Sequence, residues 1–337
     1  MTRNPGEGVA AGGALVVQTA FLGDVVLTSG LLEVLAEQYG PVDILVTPAA
    51  VSLVDSLGSV RSVIAYDKHG RDRGLRAGRR MAQHLAERKY ARAFLPHRSF
   101  RSAALVWAAR IPERIGFAGA AGQWLYTRRV ERRTNLHEAD RLLALANEPG
   151  GRAHIHLGVT EDDRAEAYAW LAARGIGDGF VAMAPGSIWG TKRWGGFAEL
   201  IRLVPGHVVV IGGADDRAAA APLVDASPDR VFDASGTVPL RVSAALLERA
   251  RILITNDSAP LHLASATDTP TVAIFGPTLP AFGFGPRASR AAIVERTDLK
   301  CRPCSSHGPA RCPLGHHRCM GEIPATAVKD TIQALIG

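Results

Sequence analysis

The feature that most constrains this chain is a regular alternation of short apolar runs with stretches of helical spacing, repeated in two blocks. In the first block, residues 14–19, 42–47, 63–66, 92–95 and 114–116 read as strands, and 25–39, 49–57, 74–88 and 102–109 as helices. In the second, strands are expected over 181–184, 208–211, 231–232, 252–254 and 271–275, with helices between them and one over 161–173 ahead of them. Runs that are apolar throughout suit strands buried on both faces, so each block is expected to be a mostly parallel sheet covered by helices.

The 337 residues exceed what one core usually organises, and the Gly-, Pro- and polar-rich stretch 147–158 is a natural linker. The expected layout is a flexible tail over 1–13, an N-terminal domain over 14–156 and a C-terminal domain over 157–325. A closing helix over 326–337 is free to pack on either domain, the N-terminal one included. No window holds eighteen uninterrupted apolar residues, and the Gly-rich start lacks the order of a secretion signal, so a cytoplasmic protein is expected.

Ligands of such sheets bind beyond the carboxyl ends of the strands, in a cleft where two domains face one another. The chemistry is therefore expected in strand-to-helix loops. Asp24, after the first strand, either accepts a proton or caps the following helix. The loop 185–195 carries Gly186 and Gly190 for close backbone approach, Ser187 and Thr191 hydroxyls, and the Lys192 cation, a set suited to a diphosphate; the alternative is a solvated basic loop. Asp215 and Asp216 offer carboxylates for ribose hydroxyls or else belong to a tight turn, and 234–237 forms another small polar loop. In the run Asn256-Asp257-Ser258-Ala259-Pro260-Leu261-His262, a strand gives way to a helix. Asp257 or Ser258 can cap that helix, Pro260 fits its first turn, and its unpaired N–H groups can face a phosphate. The plainer reading is a well-capped helix of an ordinary α/β domain. A dinucleotide fingerprint, a P-loop and a nucleophile elbow are all missing from the sequence.

Taken together, Gly23-Asp24, the loop 186–194, the run 256–262, Phe275-Gly276-Pro277-Thr278 and the tail Cys312-Pro313-Leu314-Gly315-His316-His317-Arg318-Cys319 resemble the lipopolysaccharide heptosyltransferases, over about residues 14–325. The resemblance implies a GT-B architecture, two Rossmann-like α/β/α domains facing a central cleft. It implies an ADP-heptose donor held by the C-terminal domain, an acceptor held by the N-terminal one, and inversion at the anomeric carbon with neither metal nor cofactor. Matched by position, Asp24 would be the general base, Lys192 would meet the diphosphate, Asp257 the heptose hydroxyls, and Ser258 with the neighbouring backbone the phosphates. Ala259 departs from the glycine common in the family, and His262 either orients the loop or packs as a helix histidine. Asp216 is a ribose candidate that does not align cleanly.

The net charge of +7 is concentrated between Lys68 and Arg133. Arg98 and Arg101, just beyond a strand end, are the candidate contacts for an anionic, lipid-linked oligosaccharide acceptor, heptosyl-Kdo-lipid A by the resemblance. Arg71, Arg73, Arg76, Arg79 and Arg80 either meet acidic headgroups of the inner membrane or form a solvated face. Nucleic acid is disfavoured, since no recognition motif accompanies the charge. Cys301, Cys304, Cys312 and Cys319 leave a structural metal, reduced thiols or disulfides open. Two other classes compete with the transferase: a nucleotide-sugar epimerase, and a noncatalytic sugar-nucleotide binder. A related transferase with another donor or acceptor is a third reading.

Overall fold

A computed structural model describes residues 12–337; most of the expected N-terminal tail, 1–11, lies outside the described residues. The chain divides into two compact units, one ending at Gly158 and the other beginning at Val159.

The first unit is built on six parallel strands, β1 (Ala14–Gln18), β2 (Val42–Val46), β3 (Val60–Ala65), β4 (Arg92–Leu95), β5 (Glu113–Phe117) and β6 (Arg128–Val130). Their spatial order is β3-β2-β1-β4-β5-β6. Strands β1 and β2 are buried along their whole length, and the two polar residues in their apolar runs have partners: Gln18 donates to Thr28, and Asp43 accepts from Arg61, Arg88 and Tyr90. The second unit repeats the plan with β7 (Val181–Ala184), β8 (Val208–Val210), β9 (Val231–Asp233), β10 (Ile252–Asn256), β11 (Thr271–Phe275) and β12 (Ala291–Glu295). Read from β9, its order is β9-β8-β7-β10-β11-β12. Both units therefore carry the 3-2-1-4-5-6 strand order, in which the winding reverses between the first and fourth strands and opens a crevice at their carboxyl ends. Those crevices lie beyond β1 and β4 in one unit and beyond β7 and β10 in the other.

Several elements differ from expectation for identifiable reasons. The helix expected over 25–39 is two helices, α1 (Leu22–Leu27) and α2 (Ser29–Tyr39). At the joint, the Thr28 hydroxyl donates to the Asp24 carbonyl (2.7 Å) and accepts from Gln18 Nε2 (3.0 Å), a back-bonded threonine of the kind that bends helices. The helix expected over 49–57 is a short 3-10 turn, Pro48–Leu53. Strands β6 and β12 and the helix Glu138–Leu143 complete the units. The last helix, Ala325–Ile336, packs inside the second unit, against the helix Phe197–Leu203, the edge strand β12 and its neighbour β11. Its buried face, Ala325, Val328 and Ile332, joins the core made by Val208, Ile252 and Ile274.

Candidate active site

In the second unit, the polar residues singled out in the sequence gather at the crevice between β7 and β10. The loop leaving β7 is tied at both ends by one side chain. Asn256, the last residue of β10, donates from Nδ2 to the Pro185 carbonyl (2.8 Å) and accepts at Oδ1 from the Trp194 N–H (3.1 Å). That clamp delivers Lys192 to Asp257. Lys192 Nζ donates to Asp257 Oδ2 at 2.6 Å, and Thr278 Oγ1, just beyond β11, donates to the same oxygen at 2.6 Å. All three side chains are buried.

With its carboxylate so engaged, Asp257 does not cap the next helix. That helix, Ala259–Ala266, has Ser258 at its N-cap in extended conformation with no side-chain cap bond. The Ser258 hydroxyl instead donates to the Asn256 carbonyl at 3.5 Å. The capping role considered for either residue is thus not the one the structure gives them, and the helix amino terminus relies on no side chain of the pair. Ala259 and Pro260 open the first turn. His262 is buried and sets its ring against the edge of Phe284, with ring centres 6.3 Å apart.

The neighbouring loops close around the same point. Ser187 is buried, its hydroxyl accepting from the Trp189 N–H at 3.3 Å. Thr191 donates to the Pro309 carbonyl and accepts at its own carbonyl from the His317 ring at 2.7 Å. Asp216, after β8, accepts the Gly213 N–H at 2.9 Å and lies so near the β7 loop that a Cβ on Gly186 would fall 1.9 Å from its Oδ1. Gly186 therefore leaves the space that the Asp216 carboxylate occupies, and Asp216 stands beside the Lys192 loop. Asp215 is exposed.

In the first unit, Asp24 sits in the first turn of α1, with the Phe21 N–H donating to its Oδ2 at 3.2 Å. Beyond β1 and β4 lies a second polar group. His97 Nδ1 donates to the Val17 carbonyl (3.2 Å), while its Nε2 meets the Ser102 hydroxyl at 3.0 Å and that of Thr19 at 3.4 Å. Burial, then the nearby Lys68 cation, push the imidazole down to about 4, against the opposing pull of the Val17 carbonyl. The ring is neutral at pH 7. Lys68 Nζ donates to the Thr19 carbonyl at 2.5 Å, and burial followed by Arg101 holds its ammonium below the usual lysine range. Arg101 donates to the Lys68 carbonyl at 2.8 Å and Arg98 to that of Gly119. Both arginines are exposed, as are Arg71, Arg73, Arg76, Arg79 and Arg80.

Sequence reasoning placed His97 with Arg98 and Arg101 after the 92–95 strand, but missed its contacts with Thr19 and Ser102 beside Lys68, Asn256 as the loop clamp, and Thr278 as the second donor to Asp257. A polar residue closing an otherwise apolar strand was the available signal for Asn256. Among the described residues the four cysteines form no disulfide. Cys319 is buried, and desolvation with the neighbouring thiols pushes it up to about 11; backbone N–H groups led by His317 lower Cys312.

Two Rossmann-type sheets, each with its polar groups at the reversal of strand order, define a GT-B type of protein. Solved structures share the fold. The E. coli ADP-heptose lps heptosyltransferase II matches with a TM-score of 0.79 at 22% identity, covering 96% of this chain and 98% of that one. A glycosyl transferase family 9 protein from Veillonella parvula matches with a TM-score of 0.83 at 24% identity, covering 96% of each chain. In sequence, the lipopolysaccharide heptosyltransferase 2 of Salmonella typhimurium is 25% identical over 96% of this chain and 98% of its own length. The model of glycosyltransferase family 9 (heptosyltransferase) matches residues 78–312, and the chain belongs to that family. It is a glycosyltransferase, which decides between the transferase and the epimerase or binding-protein readings.

Proposed function

We propose that this enzyme transfers L-glycero-D-manno-heptose from ADP-heptose to the inner core of lipopolysaccharide, with heptosyl-Kdo-lipid A as acceptor and inversion at the anomeric carbon. The observation that carries the reading is the Lys192, Asp257 and Thr278 cluster beside the amino terminus of the helix Ala259–Ala266, in a chain of the heptosyltransferase family.

In this mechanism an acceptor hydroxyl oxygen attacks the anomeric carbon of heptose while Asp24 takes its proton. The bond from that carbon to the diphosphate oxygen breaks, and ADP leaves with the electron pair. Lys192 meets the negative charge growing on the diphosphate, together with the unpaired N–H groups at Ser258 and Ala259. Ser187 and Thr191 shape the loop that carries Lys192, and Asp216 serves the ribose. Asp257 uses Oδ2 to hold Lys192 and Thr278 and Oδ1 to bind a heptose hydroxyl, while His262 supports the helix behind it. Arg98 and Arg101 bind the anionic acceptor. No described helix is long and apolar enough to cross a membrane. The exposed arginines 71 to 80 would instead hold the enzyme peripherally at the cytoplasmic face of the inner membrane, beside its lipid-linked substrate.

The test is ADP release from purified protein given ADP-heptose, with and without the acceptor, beside Asp24→Ala. Acceptor-dependent release with heptose appearing on the lipid, lost in the variant, is the expected result. Folded protein that releases nothing would reject this donor and acceptor pair.

A further inference from the structure

In the first unit, Glu33, His154 and His156 bring three ligand atoms within 4.8 Å of one another. Glu33 Oε2 lies 3.8 Å from His154 Nδ1 and 3.9 Å from His156 Nδ1. Those separations are too long for hydrogen bonds. They are close to the ~3.4 Å expected between two ligands that share one ion at ~2.1 Å with tetrahedral angles. The two imidazoles are stacked, centres 5.2 Å apart and planes 14° from parallel.

Backbone contacts outside the three side chains hold this arrangement, and the one contact of a ligand atom within it, His156 Nδ1 to the His154 carbonyl at 3.5 Å, is long enough for an ion to replace. Residues 153–156 run along α2, and the alternation of an extended segment sends residues 154 and 156 to the same side. Ser29 Oγ accepts the His156 N–H at 3.0 Å, and Ala153 N–H donates to Asp140 Oδ1 at 2.8 Å. Gly30 gives the segment room, since a Cβ there would come within 2.7 Å of the His154 carbonyl oxygen. Glu33 is one turn beyond Ser29 on the same helix face. The scaffold thus presents two imidazoles and one carboxylate on one side, with the remaining coordination positions open to solvent.

We infer that Glu33, His154 and His156 form a binding site for a divalent late-transition cation of the Zn2+ type. Imidazole nitrogens select Zn2+, Ni2+ or Cu2+ over Mg2+ and Ca2+, which prefer all-oxygen sets. The ion would cross-link the segment that leads out of the first unit at Gly158 to α2. It would act through Ser29, whose hydroxyl also donates to the Val26 carbonyl at the end of α1 at 2.8 Å. The site is a staple on the helix pair that carries Asp24, and it takes no part in the transfer chemistry.

The experiment uses tag-free full-length protein, dialysed against Zn2+ and separately against Mg2+, with bound metal counted by mass spectrometry and binding followed by calorimetry. Because the cysteines are potential zinc ligands, the readout is the difference between the wild type and the His154→Ala/His156→Ala variant, with circular dichroism confirming that the variant is folded. One fewer equivalent of Zn2+ in the variant, no retention of Mg2+ by either, and a Zn2+-dependent rise in Tm larger in the wild type than in the variant is the expected result. Equal Zn2+ stoichiometry and equal thermal response in the two proteins would overturn the assignment.

Discussion

Lys192 Nζ and Asp257 Oδ2 stand 2.6 Å apart, with only 10% and 8% of the two side chains exposed. Sixty-five positions separate them in the chain. Removing one member leaves the other charge nearly sealed from water, which costs about 3–5 kcal/mol. Lys192→Ala is therefore expected to lower stability in urea unfolding by that amount. It should also lower kcat by ~10²–10³, the usual loss for an electrostatic group at a developing charge. Lys192→Ala/Asp257→Asn should recover much of the stability and none of the activity, a split that unfolding curves and steady-state kinetics read separately.

Asp24→Asn keeps an oxygen to accept the Phe21 N–H, so α1 should start as before. An amide cannot take the acceptor proton. The expected loss is ~10²–10⁴ in kcat, with Tm and ADP affinity unchanged, measured by ADP release and calorimetry.

A methyl group at Gly186 has nowhere to go while Asp216 stays in place. Gly186→Ala should destabilise the second unit by about 1–3 kcal/mol, as overpacking does. Gly186→Ala/Asp216→Ala removes the clashing carboxylate and should regain stability. If denaturant unfolding finds the two variants equally destabilised, the contact is not the cause.

His97 supplies a pH dependence with a definite sign. Its folded value of about 4 lies below the ~6.5 of an unfolded histidine, so the unfolded chain binds the extra proton. The contribution is complete above pH ~6.5 and declines as pH falls toward 4, by at most about 1.4 kcal/mol per pH unit. His97→Gln, neutral at every pH, should flatten that part of the stability profile in unfolding titrations from pH 4 to 7.

Thiol reactivity should rank the cysteines. Cys312, its thiol lowered by surrounding N–H groups, is expected to alkylate first, and Cys319, buried and raised to about 11, last. Peptide mapping after timed iodoacetamide treatment gives the order. Faster labelling of Cys319 than Cys312 in the folded protein would contradict it.

The strands legible in the sequence were those buried on both faces, such as Val208–Val210 and Thr271–Phe275, where every side chain is apolar or small. Two edge strands, β6 and β12, were not. Both Arg128–Val130 and Ala291–Glu295 are only partly buried; two arginines open the first, and the apolar stretch 291–294 of the second was passed over. The break at Thr28 was equally hidden, because it depends on a hydroxyl reaching Asp24 and Gln18. At the site, loop chemistry identified Lys192 and Asp257 one at a time, each beside a strand end. Their pairing needs the β7 and β10 neighbourhood, which no local pattern encodes. The same holds for Thr278 and for His97 with Thr19 and Ser102, all brought together by strand order.

The identical 3-2-1-4-5-6 order of the two sheets separates two kinds of evolutionary change. On the proposed assignment of donor to the second unit and acceptor to the first, loops after β7 and β10 can be rewritten for a new leaving group without touching those after β1 and β4, since each set hangs from its own core. Under that proposal, recombination at Gly158 and Val159, where one core ends and the next begins, would exchange one substrate preference as a block and leave the other as inherited.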